Sequence, residues 1–409
     1  MKLNFAGGVD EIGSLGMVAE SGDSRILFDY GMTPSKPPQY PMKTPSIDAV
    51  FLTHSHLDHI GNAPWLCGEF GTTVWGTEPT MEVATVLLQD SLKIAKFEGW
   101  ALPFNISDLR RLTEETTILR HNDRIFTGPF TVKPMDAGHI PGSTMYKFND
   151  GGKEVVFTGD INTVDTKLVG GIKPPQCDVL IMESTYAGRE HPPRKEVERT
   201  FIAKVEEVLD RGGKVIVPAF AVGRTQEIVQ VLDGIKEEKW LDGMGRRVAQ
   251  IYLRHGEFLK SPGSLKRALD QFTFVRTPNQ RDKAAEAPIV VTTSGMLDGG
   301  PVLKYLGDNK KDKKSAVLLT GYQVEGTNGR MLMDSGSIDI NGEIVKIDCE
   351  VVHFDFSAHA GHDELVKFAE GSGADEVILM HGDRREELAK DLGSIGKVHT
   401  PGLEDVFTY

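Results

Sequence analysis

Cysteine is scarce. Three residues in 409 (Cys67, Cys177 and Cys349), far apart and odd in number, argue against a disulfide framework or a thiolate zinc site and for a reducing compartment. Long apolar runs are missing too: none approaches the ~18 residues of a membrane span. The opening MKLNFAGGVDEIG has no apolar core of the kind a signal peptide needs. These absences predict a cytoplasmic protein that makes no use of a membrane. Positive charge is also short, with 46 Lys and Arg against 59 Asp and Glu and a net charge of -13. That number alone argues against a polyphosphate partner, which favours basic surfaces.

The distribution of charge changes that argument. Residues 188–348 hold 26 Lys and Arg against 23 Asp and Glu, a balance of +3, whereas the remainder holds 20 against 36, or -16. A neutral-to-basic block inside an acidic chain is compatible with an anionic substrate held against one domain, although a solvated surface explains it equally. Hydrophobic content of 39% and charged content of 26% describe an ordinary globular chain long enough for two domains.

Up to residue 187 the chain alternates short apolar runs with Gly and Asp: KLNFAGG, RILFDYG, AVFLTH, FTVKPMDAG, EVVFTGD and VLIMES. Runs of four to six residues with turn signals after them read as buried strands. Helical spacing of Val83, Val86, Leu87 and Ile94 predicts a helix over 82–96. From about 194, predicted helices (194–209 and 224 to about 239) alternate with the strands KVIVPAF, VAQIYL, IVVTTSG and AVLLTGY, a pattern that implies a parallel α/β sheet. The tail returns to EVVHFDFSAH, VILMHGD and two further helices.

The densest chemical signal is His54-Ser55-His56-Leu57-Asp58-His59, directly after the apolar run AVFLT. Imidazoles with a carboxylate suit a first-row divalent metal, and four donors in six residues are too many for one open catalytic zinc, so two metals are suggested. Other polar residues each end an apolar run of their own: Asp29 after RILF, His139 after VKPMDAG, Asp160 after VVFTG, Glu183 after VLIM, His359 after HFDFSA and His381 after VILM. Any one alone reads as an ordinary loop residue. Strand ends converge on one sheet edge, however, so residues distant in sequence can share a site.

HSHLDH, AGHIPGS, FTGD, MESTY, FSAH and LMHGD, in that order, resemble the metallo-β-lactamase fold with a β-CASP insertion, in its RNA-cleaving branch. That branch includes the endonuclease subunit of the cleavage and polyadenylation specificity factor and its archaeal homologues. GGKVIVPAFAVGRTQEIVQVL, TTSGML and GYQVEGTNGR extend the resemblance through the insertion, so it covers essentially the whole chain. The resemblance implies an α/β fold: an αββα sandwich from residues 1–187 and 349–409, with an α/β β-CASP domain, built on a parallel sheet, inserted at 188–348. With a strand-like run already at Lys2, the form expected is one without an N-terminal KH module.

Carried over by motif, the resemblance implies one metal held by His54, His56, His139 and bridging Asp160. A second would be held by Asp58, His59, His381 and the same Asp160. Zinc is the expected metal, two ions per chain, although manganese or iron suits the same donors. Asp29 would orient the histidine loop, and Glu183 with His359 resembles a general acid beside its orienting carboxylate. A histidine at 381, rather than an apolar residue, favours RNA over DNA as the substrate. With water attacking and His359 protonating the leaving oxygen, the products carry a 3'-hydroxyl and a 5'-phosphate.

Ser294, Thr327, Arg330 and Ser357 are candidates to hold RNA phosphates, since hydroxyls and Gly-rich turns offer donors; turn formation or helix capping is the blander role for each. The expected function is a metal-dependent endoribonuclease acting on single-stranded RNA. A 5'-to-3' exoribonuclease, a dual activity and a non-catalytic subunit of a processing complex are the competing readings. A homodimer or processing-complex partners fit the resemblance as well.

Overall fold

Most apolar runs of the first 187 residues become strands that are hydrophobic on both sides because the central parts of their sheets are covered on both faces. The computed structural model describes residues 1–393 and 395–409, which divide into two units. One comprises Met1–Asp165, Gly170–Glu190 and Ala358–Tyr409; the other comprises Thr166–Val169 and His191–Ser357.

In the first unit two seven-stranded sheets stack. One runs, in spatial order, Val406–Thr408, Lys2–Gly7, Gly16–Ser21, Ser24–Phe28, Ala49–Phe51, Thr73–Gly76 and Thr116–Ile118. The other runs Lys397–His399, Glu376–Met380, Val179–Glu183, Val155–Phe157, Thr144–Asn149, Phe130–Asp136 and Ile125–Thr127. Alternate residues serve different layers. Leu3, Phe5, Phe28 and Phe51 meet Tyr146, Phe148, Phe157 and Ile181 between the sheets, with the Phe28 ring 4.6 Å from that of Phe148. Leu27, Val50 and Val74 point the other way, toward Leu66, Leu88 and Leu109 of helices Ala63–Phe70, Glu78–Glu98 and Ile106–Glu114. On the opposite flank Val156, Leu180, Val377 and Leu379 pack on Leu365, Phe368 and Leu388 of helices His362–Gly371 and Arg385–Asp391. The result is the αββα sandwich, each buried Phe or Leu contributing on the order of 1.5–3 kcal/mol.

Ser24–Phe28 pairs in parallel with Ala49–Phe51. Val155–Phe157, Val179–Glu183 and Glu376–Met380 likewise form a parallel set. Parallel strands deliver their carboxyl ends to one edge of a sheet, which is where the polar residues singled out by the sequence sit.

The second unit carries a six-stranded, wholly parallel sheet in the order Phe272–Phe274, Lys239–Asp242, Ile289–Thr292, Val215–Pro218, Ala316–Leu319 and Glu350–His353. Strand Glu350–His353 therefore belongs to this sheet, although the sequence reading grouped residues from 349 with the closing part of the sandwich. Thr166–Val169 also joins this unit: the backbone N–H groups of Lys167 and Leu168 donate to the buried Glu227 carboxylate (3.0 and 3.2 Å).

Two sequence expectations fail here. VAQIYL is not a strand but part of helix Gly245–Arg254, in which Val248, Ala249, Ile251 and Tyr252 are buried at helical spacing. The β-branched and aromatic residue types hid that period. The helix expected to reach about 239 ends at Val231, followed by a single 3-10 turn, and Lys239–Asp242 is a strand. Its charged ends concealed it. Lys239 is buried against the Ile235 carbonyl and Gln271, and Asp242 accepts from Arg281 and the Tyr305 hydroxyl (2.7 and 2.9 Å). Among the described residues all three cysteines are buried and free, and no helix is long and apolar enough to cross a membrane.

Candidate metal centre

Asp29 follows strand Ser24–Phe28 in a left-handed conformation (φ 56°), its N–H bonded to the Phe51 carbonyl. This turns a fully buried carboxylate toward the loop after the neighbouring strand. It accepts from the Thr53 N–H (2.7 Å), the Thr53 hydroxyl (2.7 Å) and His59 Nδ1 (2.7 Å). Burial raises its proton affinity, and these donors work against that shift. Because the Thr53 hydroxyl proton goes to Asp29, its oxygen is left to accept from His54 Nδ1 at 3.1 Å. His139 Nδ1 donates to the Ala358 carbonyl (2.8 Å). Each of these contacts occupies Nδ1 and leaves the Nε2 lone pair facing inward, as partners behind a metal-binding histidine do.

Two groups of side chains face inward together: His54, His56, His139 and Asp160, and beside them Asp58, His59 and His381, the donor atoms of each lying within 4.8 Å of one another. In the first group His54 Nε2 is 3.0 Å from His56 Nδ1 and 3.4 Å from Asp160 Oδ2, with His139 Nε2 3.3 Å from His56 Nδ1. In the second, Asp58 Oδ2 lies 3.7 Å from His59 Nε2 and 3.6 Å from His381 Nε2. Asp160 reaches this group as well, at 3.4 Å from His59 Nε2 and 3.6 Å from His381 Nε2.

These separations fit divalent cations. A tetrahedral ion with donors at 2.0–2.1 Å holds them about 3.3 Å apart. Buried lone pairs converging at such distances repel one another unless a positive charge sits between them. Consistently, His59 Nε2, His381 Nε2 and Asp160 Oδ1 are buried with no hydrogen-bond partner among the described residues. Burial, then crowding by neighbouring imidazoles, holds His54 and His139 well below the usual histidine range, and burial takes His56 down to about 4. Neutral imidazoles are the ligating form. Around His59 burial is overcome by Asp160, Asp58 and Asp29, which raise its affinity for positive charge.

His359 stands next to both groups; its side chain is 19% exposed, close to Asp58 at 22% and unlike His54, His59, His139 and Asp160 at 2% or less. Its Nδ1 is 3.1 Å from Glu183 Oε2, and its Nε2 is 3.9 Å from Asp160 Oδ2. Glu183 is fixed by the Ile161 N–H at 2.6 Å. Burial pulls His359 down, but Glu183 and Asp160 outweigh it and push the imidazole up to about 9. His381 takes a left-handed conformation (φ 55°) after strand Glu376–Met380, and its N–H donates to the Gly8 carbonyl at 2.8 Å.

Close packing sets some backbone positions. A Cβ on Gly31 would lie 1.6 Å from the Asp58 carbonyl oxygen, and one on Gly159 (φ 55°) would lie 2.7 Å from Thr53, so side chains there would push the donor loops apart.

The four residues considered for phosphate binding all lie in the second unit. Ser294 follows strand Ile289–Thr292, its hydroxyl donating to the Gly299 carbonyl at 3.2 Å. Thr327 caps helix Asn328–Ser335: its hydroxyl accepts from the Arg330 N–H and donates to the Val324 carbonyl. Arg330 pairs with Asp334 at 2.8 Å. The loop after Ser294 meets this helix start, the Gly329 N–H donating to the Met296 carbonyl. The Ser357 carbonyl accepts from Arg194 at 2.9 Å. Sequence reading missed Thr53 and the Ala358 carbonyl. Thr53 directly precedes His54 at a strand end, a weak signal; a backbone carbonyl gives none.

Comparison with known proteins follows the same lines. The Metallo-beta-lactamase superfamily profile matches residues 10–219, the Beta-Casp domain 225–332 and the Zn-dependent metallo-hydrolase RNA specificity domain 344–401. The "Probable RNase MJ4" of Methanocaldococcus jannaschii is 38% identical across 94% of this chain and 93% of its own. "RNase aCSPSF2" of Saccharolobus solfataricus is 34% identical across 95% and 80%, and the M. jannaschii "Transcription termination factor FttA" is 31% identical across 95% and 68%. A crystal structure of a protein of unknown function from Enterococcus faecalis V583 shares the fold over 99% of both chains, with a TM-score of 0.64 and 15% identity. The chain therefore belongs to the metallo-beta-lactamase superfamily, in the Beta-Casp branch of divalent-metal-dependent hydrolases.

Proposed function

We propose that the chain is an endoribonuclease that hydrolyses phosphodiester bonds of single-stranded RNA, with two zinc ions, to leave 3'-hydroxyl and 5'-phosphate ends. One observation carries the reading: two adjoining donor groups meet at the single carboxylate of Asp160, with the His359–Glu183 pair beside them. His54, His56, His139 and Asp160 would hold one ion, and Asp58, His59, His381 and Asp160 the other. Manganese or iron suits the same nitrogen and oxygen donors. Bound there, the cations would supply Lewis acidity to the phosphoryl oxygens and lower the pKa of a water molecule.

The chain's own groups do the rest. Asp29 and Thr53 orient His54 and His59. Glu183 keeps His359 in its imidazolium form with Nδ1 engaged, so the Nε2 proton passes to the departing 3'-oxygen as the phosphorus–oxygen bond breaks. Ser294, Thr327, Arg330 and Ser357 are proposed to contact RNA phosphates, Thr327 and Ser294 through backbone turns, since their hydroxyls are already engaged. The buried free cysteines suit a cytoplasmic setting; dimerisation or assembly into a processing complex is compatible with this reading.

Circular single-stranded RNA tests the mode of cleavage. The expected outcome is that it is cut to linear products bearing 5'-phosphates, at a rate close to that of a linear RNA of the same sequence. Degradation of the linear RNA alone, from its 5' end, would replace this reading with 5'-to-3' exonuclease action. Thr53→Val keeps the volume of the side chain and removes the hydroxyl behind His54 and Asp29. It is expected to weaken zinc binding about 10–100-fold, the usual cost of losing a partner behind a ligand, as measured by competition with a chromophoric chelator.

A further inference from the structure

The sheet of the first unit that supplies Asp160, Glu183 and His381 ends in an antiparallel edge of strands Ile125–Thr127, Phe130–Asp136 and Thr144–Asn149. Ile125, Phe130, Val132, Tyr146 and Phe148 turn inward to the core. The opposite face, by register, carries Phe126 across from Thr131, then Thr131 across from Asn149 and Lys133 across from Lys147. Where helices cover this sheet, Met145 and Val156 are buried. Further out the face is open: Phe126 is 70% exposed, and Lys133 is exposed.

Two features of that face are costly for a purely structural surface. An aromatic ring stands in water on a strand otherwise well packed on its inner side. Lys133 and Lys147 face each other directly, and like charges opposed across a ladder are destabilising. Lys147 is partly relieved by Glu154 at 3.0 Å. Among the described residues Lys133 and the exposed Arg124, which immediately precedes this edge, have no ion-pair partner. Cations at a sheet edge do deter unwanted strand addition, but that purpose does not call for an exposed phenyl ring. This cationic and aromatic spot also lies in the portion of the chain whose overall charge is -16.

An open strand face with an aromatic ring among cations is a platform on which bases stack while phosphates are neutralised. Its position suits a substrate flank. Strand Phe130–Asp136 runs on to His139, so Lys133 stands roughly 20 Å of extended chain from the metal centre.

We propose that the face formed by Phe126, Thr131, Lys133 and Asn149, with Arg124 at its border, binds single-stranded RNA flanking the bond to be cut. The proposal rests on the ribonuclease reading and adds to it a second contact region. A short oligonucleotide filling only the metal centre does not reach this face; an extended RNA does, and gains affinity from it.

The test uses the full chain loaded with zinc, and two fluorescent RNAs that differ only in added length at one end or the other. Phe126→Ala and Lys133→Glu change exposed side chains, and unaltered melting temperatures check that the fold survives. Phe126→Ala is expected to bind the extended RNA about tenfold more weakly, the lower range for loss of one stacked base, and Lys133→Glu to bind it more weakly as well through a lost phosphate contact, while the short RNA binds either variant as before. The slope of log affinity against log salt should fall by about 0.7 in Lys133→Glu, one phosphate contact on a single strand. Variants that bind the extended RNA like wild type, or that lose affinity equally for both lengths, overturn the platform and leave the ribonuclease reading standing. A wild-type chain that binds neither RNA overturns both. Should the variants instead lose only a protein partner, the face is a protein-docking surface and the RNA assignment is wrong.

Discussion

Asp160→Asn is expected to cost the protein its cations and its RNA cleavage together. The carboxylate lies 3.4 Å from both His54 Nε2 and His59 Nε2 and 3.6 Å from His381 Nε2, so in the proposed reading it is the one ligand common to both ions. An amide of the same shape keeps the packing yet removes the negative charge from each group. The expected loss of cleavage is on the order of 10⁴-fold, well beyond the 10–100-fold typical when only an outer partner of a ligand is lost. Metal bound per chain, measured by mass spectrometry after gel filtration, should fall below half of the wild-type value, because ligand sets of this kind bind cooperatively with their fold. A variant retaining its full complement of metal would show that Asp160 bridges nothing.

His359→Ala should fail in a different way. His359 contacts Glu183 and approaches Asp160 only to 3.9 Å; it clusters with Asp160 and Glu183 in a third group of potential donors, beside the two that the proposed reading assigns to metal. The variant is expected to keep its metal and bind RNA nearly as well, while cleaving it about 10² to 10⁴-fold more slowly, the usual loss for a general acid. RNA with sulfur in place of the bridging 3'-oxygen has a leaving group that departs without a proton. On that substrate the His359→Ala defect should largely vanish, and the Asp160→Asn defect should persist. Loss of metal, or no rescue by sulfur, would return His359 to a structural role.

What the sequence could show follows from how each residue is placed. Asp29, Asp160, Glu183 and His381 were legible because each is a polar residue at the end of an apolar run, and His139 because it ends a more mixed one; the structure sets Asp29 after a strand of one sheet and the other four at or after strand ends of the second. The strands of the sandwich were legible as short apolar runs, whereas their αββα arrangement around an insertion came from the family resemblance of the motifs. Thr53 was not, since a hydroxyl beside a histidine is commonplace and its three-way role depends on Asp29, 24 residues away. Strand Lys239–Asp242 was hidden by charged residues whose partners come from elsewhere in the unit. Helix Gly245–Arg254 was hidden by residue types that favour strands, a local preference that tertiary packing overrode.

The pairing of Glu376–Met380 along the whole length of Val179–Glu183 has a consequence for how the protein is made. About 190 residues separate the two strands, and at 5–20 residues per second a ribosome needs on the order of 10 to 40 seconds to produce them. During that interval the nascent sandwich carries an open strand edge that is apolar up to Glu183, while the intervening chain can complete its parallel sheet only as far as Ala316–Leu319 until Glu350–His353 emerges. His359 and His381 arrive last. A newborn chain thus holds most of the side chains proposed to bind metal before it can finish the site, and it is in this window that chaperone protection of the exposed edge matters most.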